Sequence, residues 1–495
     1  MGVRSRSREH GLVRRRWLAV LGAVVFAASS CGARLTKAQM QAALNTGSGN
    51  AGANAGGVAA GPAAGDQGSS GTTPSASGSG SGGSASAGGG ATAGGTTATT
   101  AASAGGGQAA ACSPNTSGPF DTGITATQIS FGNVSTTGGP VPGIFKGARD
   151  GAQAWVAYQN SLGGVCGRQL HLDFMDDNLD AAQNQADYQA LVTKDFGFIG
   201  SFSVVDEQGS QVLGSCNCPD VSYGLSKVHF GNANNFSPQP LKVPGAPLGE
   251  FNYYKKRFPA AASKMAIFTE DAQAAKDAAA GFQAAAQSAG YSFVYSRITE
   301  PTETDFTADV TNMKSKGVQG VVMYADAGQM ARIAAAMKAQ NFTVPLPAWG
   351  ANAYDQQFIQ NSQGGSEGAI IAQQEAMFEG EDAATIPEVG LFNQWLRRVG
   401  NNHPDLFALL GWESGRLMTM ALQKAGPKPT RASVLAALSS FGAFDGAGTL
   451  APDGVPAKKQ SPACYILIDV KGGKFVRDPD ASTWRCNDGP WFQAG

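Results

Sequence analysis

Histidine is scarce in this chain, four among 495 residues, so a metal centre built on imidazoles would have few ligands to draw on. An excess of one charge is missing as well: 36 Lys and Arg stand against 37 Asp and Glu. No domain-sized block is strongly basic, whereas a nucleic-acid surface would show as a basic stripe, so no nucleic-acid partner is expected. Neither H-E-x-x-H, a P-loop nor a dinucleotide fingerprint is found, which removes the commonest sequence signals of those enzyme classes. Long apolar runs are confined to one stretch near the start, the only candidate for entering a membrane.

That stretch has the form of an export signal. Arg4, Arg6, Arg8, Arg14, Arg15 and Arg16 make a basic head, and Trp17 to Ala28 form a short apolar run with small residues after it. A basic head followed by an apolar run too short to span comfortably describes a secretory signal over 1–30. Ala28-Ser29-Ser30-Cys31 resembles the lipobox of bacterial lipoproteins, with Ala at the usual Leu position. It implies acylation of Cys31, with an incidental Cys behind a plain secretory signal as the alternative. Arg14 to Leu18 also loosely match a twin-arginine signal. From Asn45 to Ala111 the chain is almost wholly Gly, Ala, Ser and Thr and cannot bury a core. We read 31–111 as a lipid-anchored tether; a Gly/Ser-rich coil of about 67 residues has an r.m.s. span of about 45 Å.

Beyond Cys31 lie Cys112, Cys166, Cys216, Cys218, Cys464 and Cys486. An even number in an exported chain suggests disulfides, though six cysteines allow fifteen pairings. Cys464 and Cys486 flank a strand pair expected at Tyr465–Val470 and Lys474–Val476, which makes theirs the preferred bridge. Cys216-Asn217-Cys218 with His229 is not a recognised zinc spacing, and no metal or other cofactor is expected.

From about Asp121 short β-type runs alternate with helical stretches. Strands are expected at Gln128–Val134, Gln169–Phe174, Phe196–Gly200, Asp220–Gly224, Lys264–Thr269, Phe293–Arg297, Val318–Tyr324, Pro345–Trp349 and Gly368–Gln373. Between them apolar residues recur at helical spacing, as in Phe145, Ala148, Ala152, Trp155 and Val156. Such alternation argues for parallel sheets covered by helices. After Ile386 the pattern turns helical, at Glu388–Val399, Leu406–Ala425 and Arg431–Ser440. Two α/β lobes fit this many strands better than one sheet with a helical tail.

Several runs then resemble one family. ISFGNVSTTGGPVPGIFKGA from Ile129 to Ala148 is similar to the opening of type I periplasmic binding proteins, in particular the leucine/isoleucine/valine-binding branch of ABC-transporter substrate-binding proteins. NSLGGVCGRQL from Asn160 to Leu170, MDDN from Met175, GSFS from Gly200, KGVQGVVMY from Lys316 and GWESGR from Gly411 continue the match in order. The resemblance implies two Rossmann-like lobes, 121–247 plus 378–450 and 248–377 plus 451–495, joined by a three-crossing hinge. It implies capture of a small polar solute (an amino acid, amide or carboxylate-like molecule) between the lobes, and delivery to an ABC permease from the outer face of the membrane.

The physical reading reaches a compatible place. In open α/β sheets ligands bind beyond the carboxyl ends of the strands, where following helices expose N–H groups and a positive dipole end. Ser201, Phe202 and Ser203 follow the third strand and could hold a carboxylate, although Ser203 serves equally as a helix cap. Leu225 and Ser226 follow the fourth, matching a second contact loop of the family. Phe145 would form an apolar wall, and Tyr324 ends a strand where the family has a ligand-facing aromatic. Asn352 stands where amino-acid binders carry the Glu that pairs with the ligand's ammonium. An ammonium without a counter-charge is costly to bury, so Asp326 or Asp271 would have to substitute, or the ligand is not a simple branched-chain amino acid.

Other readings compete. A sensor protein would need the same cleft, and a cell-wall scaffold would not need it open. An enzyme is disfavoured: Gly364-Gly-Ser-Glu-Gly368 fits G-x-S-x-G formally, but lies between a helix end and a strand, the reverse of the required order. Asp176 and Asp177, adjacent in a strand, should point to opposite faces, which does not suit acid–base work.

Overall fold

The computed structural model describes residues 117–479 and 483–494. The signal, Cys31, the tether and Cys112 lie outside them. The chain begins as β1 (Gln128–Ser135), α1 (Lys146–Ser161), β2 (Gln169–Asp176), α2 (Ala181–Leu191), β3 (Gly197–Ile199), α3 (Asp206–Cys216), β4 (Asp220–Val221) and α4 (Lys227–Gly231). It continues through β5 (Gly245–Pro247), α5 (Leu248–Arg257), β6 (Met265–Glu270), α6 (Gln273–Ser288), β7 (Phe293–Thr299), α7 (Thr307–Ser315) and β8 (Gly320–Tyr324). Then come α8 (Ala327–Ala339), β9 (Leu346–Trp349), α9 (Gln356–Asn361), β10 (Ile370–Gln373), α10 (Pro387–Arg398), α11 (Leu406–Ala425), α12 (Arg431–Leu438), β11 (Ile466–Lys471), β12 (Lys474–Arg477) and β13 (Trp491–Gln493).

β1 to β4 form one parallel sheet in the order β2-β1-β3-β4. β6 to β12 form a second, in the order β12-β11-β10-β9-β8-β6-β7. The second sheet is parallel from β7 to β10, and β11 joins it antiparallel to β10. Each sheet therefore has a point where successive crossovers run in opposite directions, between β1 and β3 and between β6 and β8. Such switch points leave a crevice at the strands' carboxyl ends. The strands expected from sequence are all present, with Asp220–Gly224 shortened to β4 and Val318–Tyr324 starting at Gly320. The small sheet of β5 and β13 and the helix α5 were not foreseen.

The late helices return to the first sheet. α11 packs along α1 so closely that small residues are required: a Cβ on Gly411 would overlap the Ala148 carbonyl, and one on Gly151 the Ala408 carbonyl. Trp155 Nε1 donates to Thr419 Oγ1 across the same contact, at 2.8 Å. The hairpin of β11 and β12 returns to the second sheet instead. Among the described residues no helix is long and apolar enough to cross a membrane.

The side features fall into place. Cys464 is bonded to Cys486 and Cys216 to Cys218, and Cys166 is disulfide-bonded as well. Ser366 of the G-x-S-x-G run sits buried in a turn between α9 and β10, its Oγ 2.9 Å from Ser362 Oγ. Asp176 accepts from the Thr137 and Gly138 N–H groups, while Asp177 accepts from Thr136 Oγ1 and Asn184 Nδ2. Both carboxylates thus brace the loop after β1. Overpacking a tight contact costs about 1–3 kcal/mol, so G411V should lower the melting temperature by forcing α1 and α11 apart. An unchanged value would show that the two helices can separate here without cost.

Candidate functional site

A cavity of about 400 Å³ lies at the two switch points. From the side of the first sheet it is lined by Ile144 and Phe145 ahead of α1, Phe202 after β3, Tyr223 and Leu225 after β4, and Leu406 and Phe407 of α11. From the second sheet come Glu270 at the end of β6, Tyr324 to Gly328 after β8, and Gly350 to Asn352 after β9. Its wall is mostly aromatic and aliphatic. Phe145 packs on Phe202 and Phe407, with ring centroids 5.4 Å and 4.7 Å apart. Tyr223 stacks on Phe202 at 4.9 Å. These rings pin one another, so the wall is pre-formed.

The expected site residues divide between cavity and scaffold. Phe145, Phe202, Leu225, Tyr324 and Asn352 line the cavity; Ser201, Ser203 and Ser226 do not. Ser201 Oγ accepts from Val134 N–H inside the sheet, and Ser203 Oγ accepts from Val205 N–H at the start of α3. Ser226 caps α4 by accepting from His229 N–H. The N–H groups of Leu225 and Ser226, the expected second contact loop, both point at the Asp206 carboxylate. Asn352 Nδ2 donates to the Ala325 carbonyl at 3.0 Å, which fixes the β8 and β9 loops to each other.

Asp206 carries more than the loop. His229, 1 % exposed, lies between Asp206 and Asp220, with Nδ1 2.8 Å from the first carboxylate and Nε2 2.8 Å from the second. Burial would lower its pKa, but the Asp220 charge and the bonds to both carboxylates outweigh that and raise it to about 10. The imidazolium therefore locks β4, the start of α3 and the Gly224–Ser226 loop as one unit.

The carboxylates on the cavity are also employed. Asp326 Oδ1 caps α8, Asp355 caps α9 and Asp405 caps α11. Each supplies an acceptor to a helix start that would otherwise leave N–H groups free at the cavity. α1 and α6 begin without a side-chain cap. Glu270 Oε2 accepts from the Asp326 N–H, and burial, with Asp326 nearby, raises the Glu270 pKa to about 7. Of the two acids suggested as substitutes for the missing Glu, Asp326 lines the cavity. Asp271 instead forms an ion pair with Lys276. Glu270 was missed because it follows the last expected residue of its strand; its place at that strand's carboxyl end was the available signal.

A second, smaller cavity of about 170 Å³, the inner chamber, shares part of its wall with the first. The two share Tyr223, Leu241, Ala278, Tyr324, Gly350, Ala351 and Leu406. Glu250, Tyr254, Gln373, Glu375, Tyr465 and Trp491 line the inner one, and sequence reasoning identified none of them. Burial raises the Glu250 carboxyl to about 8 and Glu375 to about 7. Among the described residues that line either chamber there is no Lys, Arg or His.

These shifts set a pH dependence of stability. His229 has a folded pKa above its unfolded value, so its contribution is complete below about pH 6.5 and is lost as pH rises through about 10. Glu250, Glu270 and Glu375 are held neutral by burial, so each opposes folding as pH climbs from the ordinary carboxylate range to about 7–8. Both effects have the same sign. The melting temperature of the ligand-free protein should fall from about pH 5 to about pH 9, and H229Q should flatten the upper part of that slope. A flat or rising profile in the parent protein would contradict the assignment.

No curated protein sequence matches the chain. Solved structures do. A fatty acid ABC transporter substrate-binding protein from Thermomonospora curvata is 18% identical with a TM-score of 0.62, covering 72% of this chain and 93% of its own. A branched-chain amino acid ABC transporter protein from Thermus thermophilus with bound valine is 17% identical with a TM-score of 0.62, covering 71% and 95%. A solute-binding protein from R. palustris in complex with benzoate is 16% identical with a TM-score of 0.60, covering 74% and 98%. At such identities the likeness is one of fold. The sequence also matches the family described as "Periplasmic binding protein" over residues 128–474, from the first residue of β1 to the first of β12. On that match the chain belongs to the periplasmic binding protein family, a solute-binding family, with the α/β fold of its type I members.

Proposed function

We propose that the protein captures a small solute in the cleft between its two sheets and presents it to an ABC permease, without turning it over. The observation that carries this reading is the cavity at the switch points of both sheets, lined from both sides at once. Closure would then bring 121–247 plus 378–450 onto 248–377 plus 451–495. Its support is that the first sheet with α10 to α12 falls in one set and the second sheet in the other. Two of the crossings run side by side where the Ala451 N–H bonds the Gln374 carbonyl. Gln239 Nε2, near the third crossing, reaches the same carbonyl at 3.4 Å. Motion at one crossing would thus be felt at the others.

The wall favours a ligand with a sizeable apolar body, a component beyond the small polar solute expected from sequence. The fatty acid and benzoate named for two fold relatives are bodies of that kind. The buried turn holding Ser366, which is not part of the cavity wall, supports binding rather than hydrolysis. We also propose that acylated Cys31 holds the protein at the outer face of the cell membrane, with the Gly/Ala/Ser/Thr segment as spacer; the support is the lipobox-like sequence. Thermal shift of the mature protein against amino acids, amides, aromatic acids, aliphatic acids and apolar amines tests the capture reading. A ligand at one hundred times its Kd adds about 2.7 kcal/mol to folded-state stability. A275W, which places an indole in the cavity from the first turn of α6, should abolish that shift while leaving the ligand-free melting temperature nearly unchanged. Undiminished binding by A275W would move the ligand elsewhere.

A further inference from the structure

We infer that the inner chamber is a subsite for the ammonium end of an amine ligand, whose apolar body then fills the outer cavity. This rests on the solute-capture reading and specifies the ligand's chemistry. Glu250 carries the argument. It stands in the first turn of α5, is 8 % exposed, and lines the chamber. Among the described residues no side chain or backbone group donates a hydrogen bond to its carboxylate, and no cation pairs with it. A buried carboxylate left in that condition is costly, and proteins retain such groups where a ligand completes them.

The surroundings suit a cation bearing N–H donors. Tyr254, Tyr324, Tyr465 and Trp491 line the same chamber, and aromatic rings of this kind attract a positive charge. Gln373 donates both of its amide hydrogens, to the Glu375 and Ala376 carbonyls. That fixes the amide's orientation and leaves Oε1 as an acceptor without a donor; the Tyr254 hydroxyl and the Trp491 indole N–H are also unbonded. Glu375 adds a second carboxylate to the wall. A ligand carboxylate would meet two acids here and no basic side chain. An ammonium would supply the donors that Glu250 lacks and bring an opposite charge. Burial alone accounts for the raised Glu250 pKa, and an arriving cation would draw the group back to its ionised form.

The test is calorimetric titration of the mature protein with three probes of one shape: 4-phenylbutylamine, 4-phenylbutanol and 4-phenylbutanoate. The amine should bind at least about tenfold more tightly than the alcohol, as one charge-assisted contact would give, and the carboxylate should bind most weakly. E250Q should remove the amine's advantage over the alcohol when both are measured on the same variant. Its melting temperature should be unchanged or raised, since the variant removes an uncompensated carboxyl group. Equal affinities of amine and alcohol for the parent protein would overturn the inference alone. So would a preference for the carboxylate, or an amine preference that survives in E250Q. If none of the three probes bound the parent protein, this inference would fall, while the capture reading would stand or fall on the thermal-shift screen.

Discussion

A helix that starts at the mouth of a parallel sheet brings several backbone N–H groups that need acceptors, and much of this protein's binding region follows from how they are answered. Asp326, Asp355 and Asp405 answer for α8, α9 and α11. Asp206 answers for the loop after β4 and is held in place by His229. Donors that could have received a ligand's carboxylate are thus bonded within the protein at most of the cleft, and each bond leaves an acid at or behind the wall. At these helix starts the positive backbone ends are met by the protein's own acids.

The apolar part of the wall obeys a different constraint. Phe145, Phe202, Tyr223 and Phe407 contact one another and the core, so their positions are set by packing before any ligand arrives. Close approach of α1 and α11 through Gly151 and Gly411 brings Leu406 and Phe407 to the cleft. Helices encoded late in the chain therefore complete a cavity begun by the earliest strand. The same return path places the three crossings together, with the Gln374 carbonyl accepting one backbone bond from Ala451 and one side-chain bond from Gln239.

Much of the fold was legible because period and punctuation are local. The strands announced themselves by apolar runs, and Leu406–Ala425 was readable to its end residues because an Asp cap and a following Gly bound it. The short sheet of β5 and β13 was not legible, since each partner is three residues long and the pairing spans most of the folded chain. At the site, Phe202, Leu225, Tyr324 and Asn352, chosen for their position at or after a strand end, line the cavity. Such a position could not show that Ser201, Ser203 and Ser226 turn inward to bond the backbone. A hydroxyl's direction depends on which neighbouring N–H lacks an acceptor, and that is settled only when the sheet is assembled.

The sequence by itself determined the order of strands and helices and the family, and it set its candidate residues at strand ends, because hydrophobic period and strand-to-helix order are properties of neighbouring residues. Only the tertiary structure decided the character of the cavity. Glu250, Glu270 and Glu375 come from three separate segments, and each looks like an ordinary surface acid in sequence. Burial makes them exceptional, and burial is a property of the whole packed chain rather than of any stretch of it.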